Sequence, residues 1–245
     1  MKPIIISHRG NGNHYPENTI EACEQAIREG ADALEVDVQQ TFKGELVVFH
    51  DFSLKRMAGS RRFLLWTPSQ NLRNYSLSDN RYKIPTLKDF IEHFKNRVPI
   101  NLDAKLIWPL VGPFARDIVR AIVGWKAEEQ IWVSSFNPIV LRTIKYNKKR
   151  IKTGLLFKKH SPFYLSFNNF WQNDAWHPAY SLVDDKLIED AKKYGKELYV
   201  WTVNDAEKVK RLRNINMING IITDNPALVK SALNDISQLG EISGQ

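Results

Sequence analysis

Two carboxylates, Glu35 and Asp37, stand two residues apart in a predicted β-strand. Residues i and i+2 of a strand project to the same side, so the apolar neighbours Leu34, Val36 and Val38 would point the other way, toward covering helices. Two inward-facing acids need a counter-charge, and their oxygen atoms suit Mg²⁺ or Ca²⁺ rather than zinc. The pair therefore predicts a divalent metal site, with a salt-bridged acid pair on an edge strand as the alternative.

Asp103 and Lys105 repeat the same spacing in the next strand of the predicted sheet. Asp103 could complete the metal site, and Lys105 could hold a phosphate oxygen. The alternative is an internal ion pair between the two side chains, which is at least as frequent when such a pair is taken alone. Next to Glu35 and Asp37, the pattern favours metal ligation by Asp103.

His8 and His50 are the two of the six histidines that stand at strand ends beside Arg, Gly and carboxylates. A histidine with its ordinary pKa of about 6.5 can give or take a proton near neutral pH. Phosphodiester cleavage needs a base for the attacking oxygen and an acid for the leaving one, although a lone histidine at a strand end is often only structural. Arg9 offers a planar fork for two phosphate oxygens, and Gly10 lets the backbone turn sharply.

These residues belong to short β-branched runs that alternate with helical stretches over the 245 residues, a pattern typical of a parallel sheet. Polar residues gather where the runs end, and in a (β/α)8 barrel those ends converge on one face. The sequence therefore predicts an α/β fold, a TIM (β/α)8 barrel in a single domain spanning residues 1–245, with a doubly wound open sheet as the alternative. The predicted strands are residues 4–7, 33–39, 100–105, 131–135, 152–157, a weak one near Ala175, 198–203 and 220–223.

Helices are predicted at residues 19–29, 86–95 and 184–194, where apolar side chains recur at the helical spacing. Two segments break the alternation of strands and helices. Residues 41–50 predict a hairpin with its turn at residues 42–45, and residues 51–85 form a long polar connection. Because connections of that length are uncommon unless they are functional, we expect a small hairpin and insertion at about residues 41–85, after the second strand.

The formal charge of +8 and the pI of about 9.4 favour an anionic partner, such as nucleic acid, an anionic lipid surface or a small phosphate ester. Residues 145–160 contain seven Lys and Arg and no Asp or Glu, a run that usually forms a solvated face. No apolar run approaches the roughly 20 residues of a transmembrane segment, and the N-terminal one is too short for a signal peptide. The lone Cys23 rules out an internal disulfide, so a cytoplasmic location is expected.

A dense aromatic stretch at residues 163–171, followed by Trp176, comes directly after the basic run. It could be a short helix packed on the barrel. It could also be a surface that contacts an apolar alcohol group, such as that of a lysophospholipid, with peripheral contact to an anionic lipid surface. A nucleic-acid groove is the third interpretation, but the interleaved basic and aromatic residues are too local for a long strand. Trp201, at the end of the seventh predicted strand, should line the pocket in every case.

The chain resembles the glycerophosphodiester phosphodiesterase family in seven motifs that cover nearly its whole length. None of the short motifs is specific alone, but together they follow the family's order and approximate spacing. The motifs are His8-Arg9-Gly10, Pro16-Glu17-Asn18-Thr19, Glu35-Val36-Asp37-Val38, Val47-Val48-Phe49-His50-Asp51, Asp103-Ala104-Lys105, Trp201-Thr202-Val203-Asn204 and Gly220-Ile221-Ile222-Thr223-Asp224-Asn225-Pro226.

The resemblance implies a TIM barrel and a set of site residues with defined roles. His8 and His50 would be the catalytic pair, and Glu35, Asp37 and Asp103 would bind the metal. Arg9 and Lys105 would contact the phosphate, with Glu17 and Asn18 as supporting residues. One position departs from the family's pattern, because its third metal carboxylate is usually Glu and here is Asp103, which is one methylene shorter.

The expected function is metal-dependent hydrolysis of a glycerophosphodiester to glycerol 3-phosphate and an alcohol, with Mg²⁺ or Ca²⁺ as cofactor. The nucleophile could be water or a neighbouring substrate hydroxyl, and either histidine could be the acid. The alternatives are a lysophospholipase D-type or cyclising phospholipase activity on a lipid phosphodiester, and a non-enzymatic anion-binding barrel. The sequence contains no GxxxxGK[ST], HExxH or GxSxG motif, so it does not support ATP hydrolysis, zinc peptidase or serine hydrolase chemistry.

Overall fold

Strands alternate with helices along the chain in the computed structural model, which describes residues 2–10, 14–72, 74–77, 81–105, 111–159 and 173–235. The strands are β1 (Ile4–His8), β2 (Ala33–Gln40), β3 (Leu46–Val48), β4 (Ser76–Leu77), β5 (Tyr82–Lys83), β6 (Ile100–Ala104), β7 (Ile131–Ser135), β8 (Lys152–Phe157), β9 (Ala175–Pro178), β10 (Glu197–Val200) and β11 (Ile218–Thr223). The helices are α1 (Ile20–Arg28), α2 (Lys55–Ala58), α3 (Ser69–Leu72), α4 (Leu87–Phe94), α5 (Val111–Gly124), α6 (Pro138–Asn147), α7 (Asp185–Lys193), α8 (Ala206–Arg213) and α9 (Pro226–Asn234).

Eight parallel strands close into a barrel in the order β1, β2, β6, β7, β8, β9, β10 and β11, and β11 pairs again with β1. The predicted TIM barrel is therefore confirmed, and the open sheet is excluded. All eight predicted strands are present, including the weak one near Ala175. The seventh ends at Val200 instead of residue 203, and the eighth begins at Ile218 instead of residue 220.

The three predicted helices are each one residue shorter at both ends than the sequence pattern suggested, because the outermost residues are caps. The first residue of each pattern accepts a hydrogen bond from a backbone N–H of the first turn, which satisfies a donor that the helix leaves unpaired. Three other helices begin in the same way. The capping residues are Thr19, Thr86, Asn137, Asp184, Asp205 and Asn225.

The barrel wall separates two apolar layers. Leu34, Val36 and Val38 of β2 pack in the main core between the barrel and its helices, as the alternation of side chains predicted. A second cluster fills the interior of the barrel with Ile6, Ala33, Trp132, Ala175, Tyr199 and Ile222. The inward face of β2 therefore begins with an apolar residue and continues with the two acids.

The expected hairpin and insertion follow β2. β2 pairs antiparallel with β3, and β4 pairs antiparallel with β5. The segment at residues 51–85 is not simply polar, because together with Val47 and Phe49 it builds a small separate core. That core contains Val47, Phe49, Leu54, Leu64, Leu72, Leu77 and Ile84.

Residues 160–172, which hold nearly all of the aromatic stretch, lie outside the described residues. Trp176 belongs to β9, where it is buried in the main core. Among the described residues, no helix is both long and apolar enough to span a membrane. The cytoplasmic location stays a prediction.

Candidate active site

Strand register brings the predicted metal ligands together. In the parallel pairing of β2 with its neighbours, His8 lies beside Glu35, and Asp37 lies beside Asp103. Glu35, Asp37 and Asp103 each offer one carboxylate oxygen, and these three oxygens lie within 4.8 Å of one another. All three residues are buried. The structure thus gathers acids that are up to 68 residues apart in the chain into one cluster.

The cluster is electrostatically crowded. Burial and the negative charge of Asp37 raise the pKa of Glu35 to about 8. Burial also raises the pKa of Asp103. Burial would raise that of Asp37 too, but the positive charges of Lys105 and Arg9 outweigh it and lower its pKa. Because a buried like-charge cluster is unfavourable, a further cation in this position would stabilise the ionised form of all three acids.

Lys105 is the nearest positive charge in the cluster. Its Nζ lies 2.5 Å from Asp103 Oδ2 and 3.2 Å from Asp37 Oδ1. The ion pair considered as an alternative is therefore present, yet Asp103 Oδ1 is buried without a hydrogen-bond partner among the described residues. An orphaned carboxylate oxygen beside two other carboxylates fits a hard divalent cation. Glu35, Asp37 and Asp103 thus form a triad that could hold a metal ion.

The two histidines are each held by a carboxylate. The Nδ1 atom of His8 lies 2.6 Å from Asp224 Oδ1, and the Nδ1 atom of His50 lies 2.7 Å from Asp51 Oδ1. Because Nδ1 of each ring is occupied, Nε2 is the nitrogen through which each ring could exchange a proton. Burial alone would lower the pKa of His8, but the hydrogen bond with Asp224 and the charge of Glu35 raise it above its ordinary value.

Asp224 and Asp51, which hold the two rings, were not among the predicted site residues. Asn204 holds Asp224 in place, because its Nδ2 donates to Asp224 Oδ2 at 2.6 Å and its Oδ1 accepts from the Asp224 N–H at 2.9 Å. Arg56 donates to both oxygens of Asp51 and lowers the pKa of that carboxyl to about 2. Both acids stood in quoted motifs at strand ends, so the signal was present for them. It was absent for Arg56, which lies in no motif.

Arg9 and Gly10 carry the chain away from β1 in the left-handed region, with φ of 56° and 76°. A Cβ at Gly10 would lie 2.7 Å from the backbone carbon of Ala22, so only glycine fits there. This turn directs the Arg9 N–H to Glu35 Oε2 at 3.1 Å and brings Arg9 Nε within 3.1 Å of Asp37 Oδ2. Arg9 therefore lies directly against the acid triad.

Glu17 and Asn18, the supporting residues implied by the resemblance, both contact the site. Asn18 Nδ2 donates to Asp37 Oδ2 at 2.8 Å, and Asn18 Oδ1 accepts from the Asp37 N–H at 3.0 Å. Glu17 accepts from Arg9 Nη1 at 3.2 Å and from Arg56 Nη2 at 2.7 Å. One residue thus orients a triad carboxylate, and the other links two arginines.

A cavity of about 70 Å³ lies among these side chains. Trp201 forms part of its wall, where its ring meets Phe136 edge to face at 5.6 Å, and Lys158 Nζ lies 5.4 Å from its centre. Asp37, Glu17 and Asn18 stand behind the residues that line the cavity. The lining residues are His8, Arg9, Glu35, His50, Asn101, Asp103, Lys105, Ser134, Phe136, Leu156, Lys158, Trp201 and Ile222.

The fold and the sequence have counterparts among known proteins. A phosphodiesterase of Oleispira antarctica, solved in complex with the product sn-glycerol-3-phosphate, superposes with a TM-score of 0.88 at 24% identity, over 95% of this chain and 97% of that one. A lysophospholipase D of Rattus norvegicus is 26% identical over 95% of this chain and 86% of its own length.

A glycerophosphodiester phosphodiesterase of Caldanaerobacter subterraneus subsp. tengcongensis is 31% identical over 92% of this chain and 96% of its own length. Residues 8–228 match the sequence profile of the glycerophosphoryl diester phosphodiesterase family, from the first site histidine into the last described helix. The chain belongs to the glycerophosphoryl diester phosphodiesterase family.

Proposed function

We propose that this phosphodiesterase hydrolyses glycerophosphodiesters to glycerol 3-phosphate and an alcohol with a divalent cation, Mg²⁺ or Ca²⁺, and two histidines. The observation that carries the proposal is that two carboxylate-held imidazoles, His8 and His50, line one cavity with members of a buried acid triad. Hydrolysis of a phosphodiester needs proton transfer and neutralisation of the negative charge on the phosphate.

The residues that would hold the cation are Glu35, Asp37 and Asp103. When bound, a divalent cation supplies positive charge that stabilises the negative charge developing on the phosphate oxygens. The unpartnered Asp103 Oδ1 supports ligation at the position where the family's Glu is replaced by the shorter Asp. Hard oxygen donors favour Mg²⁺ or Ca²⁺ over softer metals.

Arg9 and Lys105 are proposed to bind the nonbridging phosphate oxygens. Both side chains are mostly enclosed and carry raised pKa values, because neighbouring carboxylates outweigh the effect of burial. They are therefore positively charged near neutral pH. Trp201 is proposed to form the wall against which the rest of the substrate packs.

His8 and His50 are proposed to exchange the protons of the reaction through Nε2. One ring takes a proton from the attacking oxygen, and the other gives a proton to the oxygen that leaves phosphorus. Asp224 and Asp51 would fix the ring tautomers and orientations, as a carboxylate on Nδ1 does in other catalytic sites. Direct attack by water and passage through a cyclic phosphate both need these two transfers.

The experiment is to measure release of glycerol 3-phosphate from glycerophosphocholine, with and without a chelator, for the wild type and for His8→Ala and His50→Ala. We expect each alanine variant to lose at least about 100-fold in kcat and the chelator to abolish turnover reversibly. His93→Ala is the matched control, because His93 pairs with Glu24 on the outer helices. Near-wild-type turnover in either site variant would end the assignment of the histidines, and chelator-insensitive turnover would end that of the metal.

A further inference from the structure

Lys158 is a positive charge of the catalytic cavity to which the proposed reaction gives no role. It follows directly after β8, lines the cavity and is exposed to solvent, which places its ammonium at the opening. Arg9 and Lys105, two other cations of the cavity wall, are each paired with carboxylates. Lys158 forms no ion pair with any described residue, so its charge can act on a bound molecule.

The ammonium of Lys158 lies against two aromatic rings. Its Nζ atom is 5.6 Å from the centre of the Phe136 ring and 5.4 Å from that of Trp201. These two rings meet at an angle of 89°, with 5.6 Å between their centres. Aromatic rings arranged around a cation are also what recognises the quaternary ammonium group of a ligand. Lys158 therefore occupies the place where a cationic head group would find its aromatic partners.

The aromatic wall is fixed and is engaged by a second cation. Trp201 Nε1 donates to the carbonyl of His177 at 2.6 Å, which orients the indole ring. Lys105 Nζ lies 5.7 Å from the centre of the Phe136 ring. A quaternary ammonium that approached these rings would have to displace Lys158 from them, and it would meet positive charge on arrival.

The cavity of about 70 Å³ is too small for a whole glycerophosphodiester, so part of the substrate extends through the opening beside Lys158. The glycerol half is uncharged, so a charge at the opening discriminates between alcohol halves. Electrostatic attraction persists over about 8 Å at physiological salt, so the head group need not touch the ammonium. We infer that Lys158 is a specificity-determining residue, which disfavours cationic head groups and favours anionic ones. The inference rests on the proposed function and names the charge class of its substrate.

The test uses two pairs of substrates whose members differ in charge. Glycerophosphocholine is compared with its uncharged dimethylbutyl analogue, in which a carbon atom replaces the choline nitrogen. Glycerophosphoinositol is compared with the same compound carrying a second phosphate on its inositol ring. The wild type should show the higher kcat/KM for the less positive member of each pair. The ratio of kcat/KM within a pair measures the discrimination of charge, because the hydrolysed bond is the same in both members.

In Lys158→Met both ratios should fall at least about threefold, because one charge is lost at the opening of the cavity. Lys158→Arg keeps the charge and should keep the wild-type ratios within about twofold. Lys159→Met is the matched control, since Lys159 is the next exposed residue of the chain but does not line the cavity. It removes an equal charge and should also keep the ratios within about twofold, because solvent screens it. Raising the salt from about 0.05 M to about 0.5 M should lower the wild-type ratios by the same screening.

Three results would overturn the assignment of Lys158. They are a wild type with equal kcat/KM within both pairs, a Lys158→Met variant that keeps the wild-type ratios, and a Lys158→Met variant that lowers kcat/KM for all four substrates by one factor. The last result would show a structural role for the side chain, with no part in specificity. Failure of the proposed function looks different, because the wild type would then turn over none of the four substrates.

Discussion

Asp224 and Asp51, which hydrogen-bond to the site histidines, are themselves fixed by further hydrogen bonds. Asp224 binds His8 Nδ1 with one oxygen and Asn204 with the other, while Asp51 lies between His50 and Arg56. Each ring is thereby fixed by a chain of two hydrogen bonds. The two carboxylates should act as positioning residues, which orient the rings without touching substrate.

Asp224→Asn is expected to lower kcat by at least about tenfold and to shift the pH profile. The hydrogen bond with Asp224 opposes the effect of burial and raises the pKa of His8, so loss of the carboxylate charge lowers that pKa. The limb of the profile that His8 controls then moves to lower pH, whether His8 serves as acid or as base. The measurement is kcat/KM for glycerophosphocholine between pH 5 and 9. An equal loss of rate at every pH, with both limbs in place, would contradict this role.

At the scale of elements, β2 determines which residues meet at the site. Its register sets His8 beside Glu35 and Asp37 beside Asp103. The turn at Arg9 and Gly10 then brings the Arg9 N–H back to Glu35 of the triad. The turn depends on a backbone that only glycine adopts without strain and without overlap with α1. The helix and the site are therefore coupled through Gly10.

Gly10→Ala is expected to destabilise the fold by about 3 kcal/mol, from left-handed strain together with overlap against Ala22. It should also lower kcat at least about tenfold, because relief of the overlap displaces Arg9. Gly59→Ala is the matched control, since Gly59 has φ of 66° but nothing within 4 Å of its Cβ position. The control should cost about 1 kcal/mol and leave kcat within twofold. Urea unfolding and steady-state kinetics measure both, and equal behaviour of the two variants would contradict the coupling.

Short-range patterns predicted the parts that depend on local periodicity. The i, i+2 spacing of Glu35 and Asp37 was enough to place both acids inside the barrel, because side chains alternate along a strand. The apolar spacing gave α1, α4 and α7 to within one residue at each end. The core of the insertion was missed because its members follow no strand or helix period.

Long-range side-chain pairing was beyond the sequence pattern. His8 and Asp224 are 216 positions apart, and they meet only because the last strand closes the barrel against the first. Arg56 contacts Glu17, which lies 39 positions earlier in the chain. Arg56 belongs to a helix of four residues, which is too short to show a periodic pattern in the sequence. Such partners follow from closure of the whole barrel, which local patterns do not encode.

At the scale of the whole molecule, the barrel interior contains a buried histidine apart from the site. His177 is fully buried on β9, beside Tyr199 at 5.0 Å between ring centres, and Gly154 leaves the room that its ring fills. Neither ring nitrogen has a hydrogen-bond partner among the described residues. Burial, with a smaller contribution from the charge of Lys152, lowers its pKa to about 3. The folded protein therefore keeps this ring neutral in conditions where the unfolded chain protonates it.

His177→Leu is expected to make the protein more resistant to mild acid. Between pH 6.5 and 3 the unfolded wild-type chain binds one more proton at this ring than the folded protein, so stability falls as the pH falls. From pH 7 to 5 this contribution is about 2 kcal/mol, and the leucine variant should lose that much less free energy of unfolding in urea. His93→Leu, on an outer helix, is the control and should keep the wild-type difference between pH 7 and pH 5, because it leaves His177 in place. The prediction would be wrong if His177→Leu left the difference in free energy of unfolding between pH 7 and pH 5 unchanged. That result would mean that His177 gains a proton in the folded wild type as easily as in water.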